Sequence, residues 1–135
     1  MGDDVMRASV RRAVRINRHA DEVWALLGDP GRLPEWFPGI TDATVDGTSR
    51  VITTKMGIPM PEEILTNDSI ARRFQYRLLI PTVKEHLSTL DVHDLGDDTC
   101  LVVYAADADP AAMALIIAGA AGNALENAKR MLEQT

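Results

Sequence analysis

One cysteine, Cys100, excludes an internal disulfide, so packing alone must hold the fold. That count fits a reducing, cytoplasmic setting. Aromatic residues are scarce, at 4% of the chain with two each of Trp, Tyr and Phe, so each one is worth placing. Positive charge is in deficit. Against 20 Asp and Glu stand 14 Lys and Arg, a formal net charge of -6. A surface of that sign repels phosphate backbones and argues against nucleic acid or an anionic membrane as partner. Long apolar runs are missing too. The most apolar stretch, Ala111 to Gly122, falls short of the ~20 residues a bilayer crossing needs, so stable membrane insertion is not expected. The first ten residues, MGDDVMRASV, carry acids and lack the apolar run of a signal peptide.

Chemical motifs are equally sparse. His19, His86 and His93 show no ligand spacing and the cysteine is isolated, so neither a metal nor a cofactor is expected. His86 and His93 differ by an odd number along one predicted strand and therefore face opposite sides. No glycine-rich phosphate loop or serine-nucleophile elbow occurs, and Ser88 has no base–acid pair beside it.

What is present is a chain of 135 residues, 46% apolar, which fits one domain with a real core. Arg7 to Arg18 alternates as a strand, with Val10, Arg12, Val14 and Ile16 on one face. Arg12 interrupts that face, which suggests a sheet edge. A short helix is predicted over Asp21 to Leu27, with acids in its first turn. Gly28 can close it in a left-handed cap, and Pro30 prevents resumption. A second short helical turn fits Gly31 to Phe37.

From Ile40 to Ala106 the pattern is strand after strand. Asp46-Gly47 reads as a hairpin turn. Gly57, Pro59 and Pro61 mark the next turn, then Asn67-Asp68 and Gly96-Asp97-Asp98. The strands fall near Thr41–Val45, Arg50–Met56, Glu62–Thr66, Arg72–Leu79, Val83–Asp94 and Thr99–Ala106. Short turns between them imply an antiparallel meander. A long helix ends the chain, with Asp109 as N-cap and Pro110 as first residue. Met113, Ile117, Ala121, Ala124, Leu125, Ala128, Met131 and Leu132 share its apolar face. A helix ~10–12 Å wide cannot fill the hollow of a twisted seven-stranded sheet, so a pocket should remain.

The ordered stretches Asp21-Glu22-Val23-Trp24-Ala25-Leu26-Leu27 and Leu33-Pro34-Glu35-Trp36-Phe37-Pro38-Gly39-Ile40 lead a longer set. Gly47 with Arg50, Glu63 followed by Asp68, Arg73 and Tyr76, then His86-Leu87-Ser88-Thr89-Leu90, Cys100 to Tyr104 and the final helix complete it. In this order they resemble the START-like (SRPBCC, Bet v 1-like) superfamily, in particular its polyketide cyclase/dehydrase branch. The resemblance implies an α+β helix-grip fold: a seven-stranded curved antiparallel sheet around a long C-terminal helix, with two short helices after the first strand. It also implies a hydrophobic cavity, but no particular reaction.

Strand parity sends Phe74, Tyr76 and Leu78 inward, with Arg73, Gln75 and Arg77 outward. His86, Ser88, Leu90 and Val92 read as inward, and Glu85, Thr89 and Asp91 as outward. In the last strand either Val102 and Tyr104 or Leu101 and Val103 point in. Arg50 and Glu63 are expected to form a buried ion pair or a polar anchor for a ligand; a structural pair, or two solvated residues, is the plainer reading. His86 is the acid/base candidate by its ordinary pKa, with Tyr76 as a hydroxyl donor; both also read as core residues. Trp24 reads as core. Trp36 reads as core, or as a lid or stacking residue at a pocket mouth.

The candidate ligand site is therefore Trp36, Arg50, Glu63, Phe74, Tyr76, His86, Ser88, Tyr104, Met113 and Ile117. The expected function is binding of a lipid-like, polyketide-like or aromatic small molecule. An enzyme of cyclase or dehydratase type is the alternative, and a non-catalytic dimeric interaction protein the third. The outer stripe of the final helix, with Leu115, Gly119 and Gly122, asks for cover. The Gly57–Pro61 turn, a homodimer contact or a hinge would each account for it.

Overall fold

The computed structural model describes residues 7–134, so residues 1–6, part of the stretch weighed as a signal peptide, lie outside the described residues. Strand β1 (Ala8–Ile16) leads into α1 (Ala20–Leu27), a short 3-10 turn (Pro30–Arg32) and α2 (Leu33–Trp36). Strands β2 (Ile40–Asp46), β3 (Ser49–Thr54), β4 (Pro59–Asp68), β5 (Arg73–Leu78), β6 (Glu85–Gly96) and β7 (Thr99–Asp109) follow, then α3 (Ala111–Glu133). They form one curved antiparallel sheet in the order β1-β7-β6-β5-β4-β3-β2, so the expected helix-grip architecture holds.

β1 is an edge strand, as Arg12 suggested. Arg12 pairs with Tyr104 and does lean to the concave side. Gly122 of α3 makes room there: a methyl at Gly122 would lie 3.4 Å from Arg12 Cγ and Cδ. Gly47 takes a φ of 61° in the β2–β3 hairpin, as the Asp-Gly signal required.

Several local expectations are corrected. Gly28 has a φ of -87°, so it is no left-handed cap. Its lack of a side chain serves packing instead, because a Cβ there would sit 2.4 Å from the Trp24 ring. The helix α1 does carry Asp21 and Glu22 in its first turn, and His19 caps it: its Nδ1 accepts from the Asp21 N–H at 3.1 Å. Pro59 and Pro61 lie inside β4 rather than in a turn, and the Pro61 carbonyl accepts from Leu79 N–H at 2.9 Å. The turn placed at Asn67-Asp68 comes later, with the Asp68 carboxylate accepting from Ile70 and Ala71 N–H. Arg72 there has a φ of 54° and is not part of β5. β7 runs on to Asp109, so Pro110 rather than Asp109 is the N-cap of α3.

α3 packs on β1 and β7 through a seam of small residues, Ala114, Ala118, Ala121, Ala124 and Ala128, all fully buried. Its C-terminal end is tied down by polar bonds. Lys129 Nζ donates to the Arg15 carbonyl at 2.7 Å, Glu133 accepts from Asn17 N–H at 2.8 Å, and Asn127 Nδ2 donates to the Trp36 carbonyl at 2.9 Å. By length and composition α3 is apolar enough to cross a membrane. Here that apolarity serves its buried alanine face and the cleft beside it. Leu115 stays 60% exposed and nothing lies within 4 Å of a Cβ at Gly119, so the Gly57–Pro61 segment does not cover that part of the outer stripe.

Candidate functional site

Because α3 rests on the β1–β7 side, the concave surface of β3, β4 and β5 stays partly uncovered. The result is an open cleft of about 160 Å³ lined by Phe37, Ile52, Met60, Leu78, Met113, Ile116, Ile117 and Ala120, with Glu62 and Tyr76 as its polar residues. Met113 and Ile117 therefore stand where the helical wheel put them. The interior itself is nearly full. A second void of about 10 Å³, room for about one water, is bordered by Leu27, Asp29, Leu33, Trp36, Arg50, Phe74, Tyr76, Leu90 and Tyr104. The pocket expected between helix and sheet is thus a side cleft with a small separate recess, not a large central chamber. A separate groove of about 250 Å³ runs under the β5–β6 loop, along Arg77 to Ile80 and Val83 to His86.

The partner of Arg50 is Glu62, not Glu63. Arg50 Nε donates to Glu62 Oε1 at 2.6 Å, and both side chains are 2% exposed. Arg50 also donates to the Pro30 carbonyl at 3.2 Å. Its guanidinium lies over the rings of Phe74 and Tyr76, 5.2 and 4.9 Å from their centroids. Burial pushes the Glu62 carboxyl above its usual range, and Arg50 opposes that shift. Glu63 faces the convex side and pairs with Arg77 at 2.6 Å in the open. The register shift between Ile64 and Thr66 lies downstream, so even-numbered residues of β4 point inward up to that bulge. Adjacent glutamates look alike in a sequence; the pairing of Arg50 with Glu62 across β3 and β4 decides between them.

Parity along β5 and β6 is as expected. Phe74, Leu78, His86, Ser88, Leu90 and Val92 are buried. On the convex face Arg73 holds Asp91 at 2.8 Å, and Gln75 bridges Thr66 and Thr89. The open choice in β7 falls to Cys100, Val102, Tyr104, Ala106 and Ala108, which are all buried inward.

These inward groups form a hydrogen-bonded file. The Leu78 N–H donates to His86 Nδ1 at 2.8 Å. A backbone amide can only donate, so Nδ1 carries no proton and the neutral ring holds its proton on Nε2. That nitrogen meets Ser88 Oγ at 2.7 Å. Against the burial that raises it, Ser88 acts to lower the pKa of the Tyr76 hydroxyl, which bonds that of Tyr104. Burial lowers the His86 pKa to about 4 and raises those of both tyrosines, Tyr104 the more. At neutral pH all four side chains are uncharged. Both ring nitrogens of His86 are thus engaged within the protein. Tyr76 is the member of the file that reaches the cleft.

Trp36 is 2% exposed, so it is not a lid; Phe37 rather than Trp36 reaches the cleft. The Trp36 indole Nε1 is the one buried side-chain polar atom without a partner among the described residues. Trp24 is half-buried over Gly28 and away from both spaces. Among the described residues no three His, Cys, Asp or Glu side chains gather as a metal would need.

Residues 7–134 match the family described as "Polyketide cyclase / dehydrase and lipid transport". No curated protein matches the chain by sequence. Solved structures do match. An uncharacterized protein from Bacillus thuringiensis is 21% identical with a TM-score of 0.84, covering 92% of this chain and 98% of that one. A norcoclaurine synthase point mutant from Thalictrum flavum, in complex with a transition-state analogue, is 15% identical with a TM-score of 0.75, covering 97% of each chain. A START superfamily protein from Mycobacterium smegmatis is 16% identical with a TM-score of 0.70, covering 93% of this chain and 94% of that one. At these identities the likeness is one of fold.

Proposed function

Since the chain belongs to the polyketide cyclase / dehydrase and lipid transport family, we propose that it holds a small hydrophobic molecule in the cleft between α3 and strands β3 to β5. The observation that carries this reading is the cleft itself: apolar walls from sheet and helix, open to solvent, over a floor whose one charge is already matched. Apolar walls supply affinity, and few polar groups fix orientation. Its volume suits one or two rings or a short acyl segment, not a large lipid. A reducing, cytoplasmic location suits the buried free thiol of Cys100.

The test is binding of the neutral two-ring fluorophore 2-naphthol, followed by its own fluorescence. Met113→Trp and Ile117→Trp fill the cleft from the helix side and should each weaken binding at least about tenfold, the loss of roughly one buried contact surface. Unchanged binding in both variants, with the fold intact by circular dichroism, would refute the reading.

A second reading, cyclisation or dehydration of a carbonyl-bearing guest, draws on Tyr76. Its raised pKa keeps the phenol protonated, and its place at the cleft floor suits donation to a carbonyl oxygen. Tyr76→Phe would then spare affinity and abolish turnover, and equal turnover in the variant would dismiss it.

A further inference from the structure

We propose that the recess beside Trp36 is the polar end of the ligand site and takes one uncharged acceptor oxygen. The guest is then a small aromatic ketone, aldehyde or related carbonyl compound, not a carboxylate, an amine or a plain hydrocarbon. This rests on the reading of the cleft as the binding site, because the ring carrying the oxygen would lie there.

The starting point is the orphaned Trp36 indole N–H. A buried donor without a partner is costly and calls for an explanation. Trp36 borders a void with room for about one oxygen atom. The other polar side chains around it are Arg50, Tyr76, Tyr104 and, at the exposed edge, Asp29, whose Oδ1 already accepts from Gly31 N–H at 3.0 Å. Trp and Arg can only donate, and the hydroxyls can turn to donate. The set therefore asks for an acceptor.

Charge selects which acceptor. The Arg50 guanidinium is already neutralised by Glu62, so a carboxylate would bring an unmatched negative charge beside that glutamate and beside Asp29. An ammonium would face the N–H groups of Trp36 and Arg50. A carbonyl brings lone pairs and no net charge. Tyr76 is the one side chain bordering both recess and cleft, and entry of the oxygen from the cleft requires its ring to shift.

The test titrates the full chain with acetophenone, with α-methylstyrene, which replaces the carbonyl oxygen by a methylene, and with benzoate. The 15N-indole resonances are followed and assigned with Trp24→Phe. Acetophenone should move the Trp36 N–H signal downfield, and α-methylstyrene should bind without doing so. In Trp36→Phe the affinity ratio of ketone to alkene should fall about tenfold. Benzoate should bind more weakly than acetophenone. If ketone and alkene bind with the Trp36 signal equally unmoved, or benzoate binds more tightly than the ketone, the acceptor site is overturned and the apolar cleft survives. Failure of all three to bind would overturn the cleft reading and this one with it. The wild-type spectra decide the matter even where Trp36→Phe does not fold.

Discussion

Removing the Glu62 carboxylate would strand the Arg50 guanidinium between two aromatic rings with no counter-ion. Glu62→Ala should therefore cost about 3–5 kcal/mol in chemical denaturation. Glu63→Ala, which loses only a solvated pair with Arg77, should cost less than about 1 kcal/mol. His86 offers a pH test. Its folded pKa, about 4, lies below the ordinary 6.5, so the native state binds fewer protons than the unfolded chain between those values. Its contribution is complete above pH 6.5 and is lost as pH falls towards 4, by roughly 3 kcal/mol in total. His86→Gln, which keeps an acceptor and a donor, should flatten the slope of stability against pH across that window. An unchanged slope would show that His86 is not the titrating group. Gly28→Ala drives a methyl into the Trp24 ring and should lower stability by about 1–3 kcal/mol, read as a drop in Tm. Which residues face inward was legible from alternation alone in β5 and β6. Glu62 was missed because two glutamates stand side by side and only the ladder with β3 tells them apart. The role of Gly28 was hidden because φ and crowding are alternative reasons for a glycine, and composition does not separate them.

At the scale of elements, α3 is fastened unevenly. Its last turns are pinned to the end of β1 and to α2 by Lys129, Glu133 and Asn127. Its first turns have a proline cap without a side-chain bond and lie along the open cleft. Amide exchange should accordingly be faster at Met113–Ile117 than at Leu125–Lys129. Gly119 adds to this looseness: nothing lies within 4 Å of where its Cβ would be. Gly119→Ala should stabilise the protein by about 0.8–1 kcal/mol, seen as a raised Tm. The element order was readable because each strand ends in turn residues and the final helix has a clear apolar face. The prolines of β4 misled, since a proline usually ends a strand. Here Pro61 still serves the ladder through its carbonyl.

For the molecule as a whole, the curvature of the sheet and the presence of unfilled space were foreseeable from strand number and helix width. Where that space lies was not, because it depends on which strands α3 covers, a choice made by long-range packing. The alanine seam makes that choice. Five fully buried alanines let the backbone of α3 sit close against β1 and β7. They act as a shim whose thickness is one methyl group. A bulkier residue at Ala118 would pry the helix outward, and the guest space would widen with it. The seam lies outside the lining of the cleft, yet the width of that cleft is set there, one carbon at a time.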